Sequence, residues 1–289
     1  MGGYRWQAIA SYDDGFPKSA LTASGSIAAK TIASLMNNAT GHPPAAFSQR
    51  LAEVWRRIDA ACRACGRQRR EITLLAVSQT HGEDAVRAAL ACGQLAFGES
   101  YWQDAQPKLN ALATVAPQPT WHFIGPLQAN KTRPIAARFD WVQSVDREKI
   151  ARRLSDQRPA DQPPLNICLQ INISGEAGKS GAAPDDLPAL ARQTTALPGL
   201  RLRGVMAIPA QSHDRDRQRR AFAAVRRQYQ RLQTLGFDLD TLSMGMSGDL
   251  EAAILEGSTL VRVGADLFGP RATATPRIPP IHPNPSEPI

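Results

Sequence analysis

The chain has 289 residues, 43% of them hydrophobic, enough for one large domain. Its formal charge of +8 sets 34 Lys and Arg against 26 Asp and Glu, and only six of the bases are lysines. No apolar run approaches the roughly 20 residues of a membrane span, no nucleic-acid motif accompanies the basic balance, and the N-terminus lacks the charged-then-apolar pattern of a secretion signal.

Residues 1–45 are rich in Gly, Ala, Ser and Thr and show no sustained periodicity, so a disordered or loosely helical extension is expected there, with Met36 as an alternative start. An amphipathic helix follows over 47–65. It carries Cys62 and Cys65, formally a C-x-x-C pair, but no second pair completes a zinc site and no strand precedes it as a redox motif requires. Unpaired cysteines in a reducing cytoplasm are the simpler reading.

Short β-rich runs then alternate with amphipathic stretches. The runs fall at 72–77, 95–97, 121–124, 139–144, 166–173, 202–208, 241–245 and 260–264; the stretches between them at 83–92, 101–113, 128–138, 146–155, 184–197, 214–235 and 248–256. Eight strands with seven intervening helices predict a single α/β domain over 46–272, a closed (β/α)8 TIM barrel. An open doubly wound sheet is the alternative, and the absence of G-x-G-x-x-G after the first strand counts against it. The arginine-rich segment 215–231 has Phe222, Val225, Tyr229 and Leu232 at helical spacing, which makes its arginines a solvated outer face rather than a polyanion patch. Residues 273–289 end in a proline-rich stretch expected to be an unstructured tail.

A barrel of this kind keeps its site at the C-terminal ends of its strands, often with a phosphate held after strands seven and eight. Those loops read SMGMSGDLEAAI (243–254) and VRVGADLFG (261–269). Ser247 and the small residues around it could hold an anion on free backbone N–H groups; the same residues also read as an ordinary helix cap made by Ser247. Gly264 and Ala265 offer open backbone at the partner position. Arg262, two residues before Gly264 on the last strand, shares its face, and inside a barrel it needs a ligand or an internal carboxylate. His122 reads as a satisfied core histidine.

Together the stretches LLAVSQT (74–80), FGESYWQDA (97–105), WHFIGPLQANK (121–131), FDWVQSVD (139–146), INISGEAGKSG (171–181), LRLRGVMAIP (200–209) and LSMGMSGDLEAAILEGSTLVRVGADLFGPR (242–271) resemble the pyridoxal phosphate homeostasis proteins, single-domain relatives of the alanine racemase barrel. The resemblance implies a site for pyridoxal 5′-phosphate (PLP) or other B6 vitamers. In it Ser247, Gly264 and Ala265 hold the phosphate, Arg262 faces the pyridine nitrogen, and Asn172, Met206 and Tyr101 line the pocket. It also implies a cytoplasmic, non-catalytic monomer that buffers or delivers the cofactor, without the racemase's second domain.

The chain departs from the family where the family lysine forms a Schiff base: that position is Gln79. An amide nitrogen is not a nucleophile, so no imine forms there, no catalytic residue is assigned, and any PLP is bound non-covalently or weakly. A second family lysine is His81, an Asn is Ser100 and a hydroxyl residue is Ala265. Lys179 is the best surviving amine, with Lys131 next; both also read as solvated loop lysines. Two other functions stay open: a barrel that has lost PLP and acts through a partner, and an enzyme on another phosphorylated metabolite using His81, His122 or Tyr101.

Overall fold

A computed structural model describes residues 44–176 and 180–269. The expected N-terminal extension, the C-terminal tail and Lys179 lie outside the described residues. The first helix, α1 (Pro44–Ala64), already includes Pro44 and Ala45. Strands and helices then alternate as β1 (Thr73–Val77), α2 (Glu83–Ala91), β2 (Ala96–Glu99), α3 (Trp102–Ala111), β3 (Thr120–Phe123), α4 (Thr132–Arg138), β4 (Trp141–Val145), α5 (Glu148–Gln157) and β5 (Leu165–Ile171). The second half continues with α6 (Leu187–Thr195), β6 (Leu200–Ala207), α7 (Arg215–Thr234), β7 (Thr241–Met246), α8 (Leu250–Leu255), β8 (Leu260–Val263) and a short α9 (Ala265–Phe268). The strands pair in parallel in sequence order and β1 closes on β8, as the alternation predicts.

Parallel strands covered by helices bury both faces, which is why they read as apolar runs. The main core lies between the barrel and its helices, where Leu74, Ala76, Phe97, Phe123, Val142, Leu169, Val205 and Val261 meet helical residues such as Val54, Ile58, Ile150 and Phe222. Helix α7 buries Phe222, Val225 and Leu232, while most of its arginines face outward; Arg219 and Arg226 pair with Glu256. The solvated-face reading of 215–231 therefore holds. Cys62 and Cys65 are free thiols on α1, and burial pushes the Cys62 thiol up. Among the described residues no helix is long and apolar enough to cross a membrane.

Inside the barrel the packing is polar. Ser243 on β7 donates to Gln143 Oε1 on β4 at 2.7 Å. Those strands are not neighbours, so the bond crosses the interior. Gln143 Nε2 lies 2.9 Å from His122 Nδ1, and its role as donor makes that ring nitrogen the acceptor. His122 stacks on Trp141 with ring centroids 5.0 Å apart, and the Arg203 guanidinium covers the other part of Trp141 at 4.7 Å. Arg203 is held by Asp240 and by Asn166 Oδ1, the latter at 2.8 Å, near the N-terminal ends of the strands. His122 is thus the satisfied core histidine expected of it.

Burial, reinforced by Arg203, holds the His122 imidazole neutral, with its pKa down from 6.5 to about 3. The unfolded chain therefore binds one more proton than the folded one across that interval. Stability from keeping the ring neutral is complete above pH 6.5 and declines as pH falls toward 3. About 2 kcal/mol should be gone by about pH 5, read as a drop in urea midpoint, and His122→Gln should remove that part of the slope. An unchanged slope in the variant would refute the assignment.

Candidate functional site

Two loops at the C-terminal end of the barrel carry the residues expected to hold a phosphate. Near the end of β7 the backbone turns at Gly245, whose φ is +94° and whose absent Cβ would lie 2.5 Å from the Ala253 Cβ; only glycine fits. The loop leads into α8, but its N-cap is Asp249, not Ser247. Asp249 turns back to accept from the Met246 backbone N–H at 2.6 Å, and burial pushes its carboxyl up. The helix-cap reading of Ser247 is thereby corrected: its hydroxyl caps nothing and has no partner among the described residues, because the cap sits two residues later. After β8, Gly264 passes close to β1, with its Cβ position 3.3 Å from the Val77 carbonyl oxygen. Ala265, at the first turn of α9, is exposed.

Arg57 on α1 holds both loops from outside. Its guanidinium donates to both carboxylate oxygens of Glu251 at 2.6 and 2.9 Å, to Asp266 at 2.6 Å and to the Ser247 carbonyl at 2.8 Å. The bond to Glu251 is the largest cause holding the Arg57 pKa up. No motif marks Arg57. In sequence it is one of several arginines on an amphipathic helix, and its partners lie about two hundred residues away.

Arg262 is buried, and burial lowers its pKa to about 10, so it stays charged near neutrality. The sequence predicts a ligand or an internal carboxylate as its partner. The contacts are instead with neutral oxygens: Nη1 donates to Ser243 Oγ at 2.6 Å and Nη2 to the Ala207 carbonyl at 2.9 Å. Asp249 acts on it only through space. Arg262, Ser243, Gln143 and His122 therefore form one directional chain across the barrel, each link passing its hydrogen the same way.

At the end of β1, the Ser78 carbonyl accepts from His81 N–H at 3.1 Å and closes a turn with Gln79 and Thr80 at its centre. Thr80 has φ +68°, the left-handed value that a type II turn demands at this position and that a β-branched residue adopts only under strain. Gln79 is half-buried, and its side-chain amide has no partner among the described residues. The His81 ring stacks on Phe268 of α9 at 5.1 Å, joining this turn to the loop after β8.

The turn is anchored from behind by a buried ion pair. Lys108 Nζ on α3 lies 2.7 Å from the Ser78 carbonyl and 2.6 Å from Glu99 Oε1, which also accepts from the Ser78 hydroxyl at 2.6 Å. Both charges are almost fully buried, and Glu99 Oε2 has no partner. Burial pushes the Glu99 carboxyl up, against the Lys108 ammonium and the Ser78 hydroxyl. The pair has a sequence signal after all: Ala105, Lys108, Leu109 and Leu112 share one helix face, so the lysine occupies a core position.

The remaining expected residues are distributed around the mouth. Met206 is fully buried on β6, paired in register with Gln170 and Ser243. Asn172 follows β5 and donates to the Glu176 carbonyl at 3.0 Å. Tyr101, just after β2, is 59% exposed. Lys131 lies in a 3-10 turn after β3. Among the described residues no cluster of three or more His, Cys, Asp and Glu is placed to hold a metal.

Residues 49–272 match the model of the alanine racemase N-terminal domain. An alanine racemase from Corynebacterium glutamicum shares the fold alone, with a TM-score of 0.59 at 14% identity over 80% of this chain and 63% of that one. A pyridoxal phosphate homeostasis protein from Pseudomonas aeruginosa is 56% identical over 80% of this chain and 98% of its own length. The structure of PipY from Synechococcus elongatus with PLP bound has a TM-score of 0.68 at 34% identity, covering 77% of this chain and all of that one. The class is therefore that of alanine racemase-type barrels. Within it, the chain belongs to the pyridoxal phosphate homeostasis protein family.

Removing one partner of a buried ion pair strands the other charge. Lys108→Met alone should cost about 3–5 kcal/mol in urea unfolding, and adding Glu99→Leu should recover much of it. Equal losses in the single and double variants would contradict this account of the anchor.

Proposed function

We propose that the chain is a non-catalytic binding protein for PLP and related B6 phosphates, acting in their homeostasis and holding them without a covalent bond at residue 79. The observation that carries the reading is Arg262: a buried cation with neutral partners only, at the end of the strand that leads into the Gly264 loop. The phosphate and pyridine sides of the site fit the cofactor. Ser247 has a free hydroxyl, Gly264 and Ala265 bring open backbone, and Arg57 fixes both loops. Met206 would pack against the ring, with Asn172 and Tyr101 at the rim.

The fourth side does not fit a covalent cofactor. When held as a Schiff base, PLP supplies an electron sink for amino-acid chemistry; Gln79 cannot form that link. What this chain's residues can do is bind and orient: Ser247 and the loop N–H groups on the phosphate, Arg262 on the pyridine nitrogen. A cation there disfavours protonation of the ring nitrogen. The remaining contacts, each worth about 1–3 kcal/mol, support affinity on the order of micromolar or weaker. Relatives named as homeostasis proteins, rather than as racemases, support the non-catalytic reading.

Titration of the purified protein with PLP should quench or shift the cofactor's fluorescence saturably while giving no borohydride-trapped adduct at residue 79. Gln79→Lys should form that adduct. A trapped adduct at residue 79 of the parent would falsify the non-covalent reading. No saturable binding by parent or variant would remove PLP as the ligand and favour a barrel that works through a partner.

A further inference from the structure

A half-buried amide with no protein partner sits where the cofactor's 4′ substituent would meet the barrel. Gln79 occupies the centre of the turn after β1, and that turn is positioned by its neighbours, not by Gln79 itself. Ser78 is locked to Glu99 and Lys108, and His81 is stacked on Phe268. Two residues earlier, Val77 packs against Gly264 of the adjoining loop after β8. The amide is therefore carried on a fixed base, with neither its carbonyl nor its NH2 group paired among the described residues.

Resting on the function proposed above, we infer that Gln79 makes this site selective by hydrogen bonding at the 4′ position. It takes the 4′-amine and 4′-alcohol B6 phosphates (pyridoxamine 5′-phosphate and pyridoxine 5′-phosphate) at least as tightly as the 4′-aldehyde. The chemistry of the three groups sets the order. An aldehyde oxygen only accepts, so it uses the Gln79 NH2 group and leaves the amide carbonyl unpaired once the ligand displaces water. A primary ammonium donates to that carbonyl. An alcohol donates to the carbonyl and accepts from the NH2 group. A lysine at this position does the reverse: it captures the aldehyde as an imine with loss of water, and as an ammonium it repels a 4′-ammonium. Among the described residues at this end of β1, Lys108 is buried in its ion pair with Glu99.

The test is equilibrium dialysis of the full chain with each of the three phosphates, beside Gln79→Lys and Gln79→Met. The parent should bind the amine and alcohol forms equally well or up to about tenfold more tightly than PLP, the equivalent of one net hydrogen bond. Gln79→Lys should invert the order in favour of PLP, and Gln79→Met should level it. A parent that binds PLP tenfold or more tightly than both other forms overturns this inference and leaves the proposed function standing. A parent that binds none of the three overturns both.

Discussion

Taking Arg262 out of water strips a permanent cation of its hydration, and the barrel compensates with oxygens from two other strands. That requirement spreads. Ser243 can accept from Arg262 only by sending its own hydrogen elsewhere, to Gln143, and Gln143 then has an N–H to place on His122. Where most barrels fill the interior with layers of branched aliphatic residues, a polarised chain here crosses it alongside Leu75 and Met206. Its cost is that every member must be satisfied at once, which rigidifies the barrel around one arrangement. Its return is a guanidinium held in place before any ligand arrives.

The neighbouring strand β1 follows a different logic. The turn after β1 takes its position from Ser78, whose carbonyl and hydroxyl are both engaged by a buried ion pair, and from a strained Thr80. Residue 79 is carried by that scaffold without contributing to it. The turn therefore keeps its backbone whatever side chain stands at 79. The contacts of Arg57, Arg262 and the two glycine-bearing loops likewise involve no atom of that side chain.

Most of the fold was legible in the sequence because strands buried on both faces and amphipathic helices leave clear periodic signals; each expected strand and helix corresponds to an observed element. Arg262 was legible too, as a charge on a strand, and Gln79 as part of the polar turn after the first strand. Less legible was what each charge touches. For Arg262 the sequence suggests a ligand or an internal carboxylate; a serine on the neighbouring β7 and a backbone carbonyl on β6 engage it, and pairings of that kind leave no trace in local spacing. The Ser247 cap failed for a similar reason: Asp249, two residues on, competes better for the turn by reaching back to Met246. Arg57 was invisible because its value lies wholly in partners from the far end of the domain.

That distance has a consequence for how the protein is made. Helix α1 leaves the ribosome first among the described elements, while Glu251 and Asp266, which engage Arg57, leave nearly last. Until they arrive, the loops after β7 and β8 have nothing to hold them against α1, and β1 has no β8 to close on. Closure of the ring on β8 and the pairing of Arg57 with Asp266 therefore both wait for the last described elements. A barrel cut short before β8 lacks its closing strand and one of the two carboxylates that tie the loops to α1.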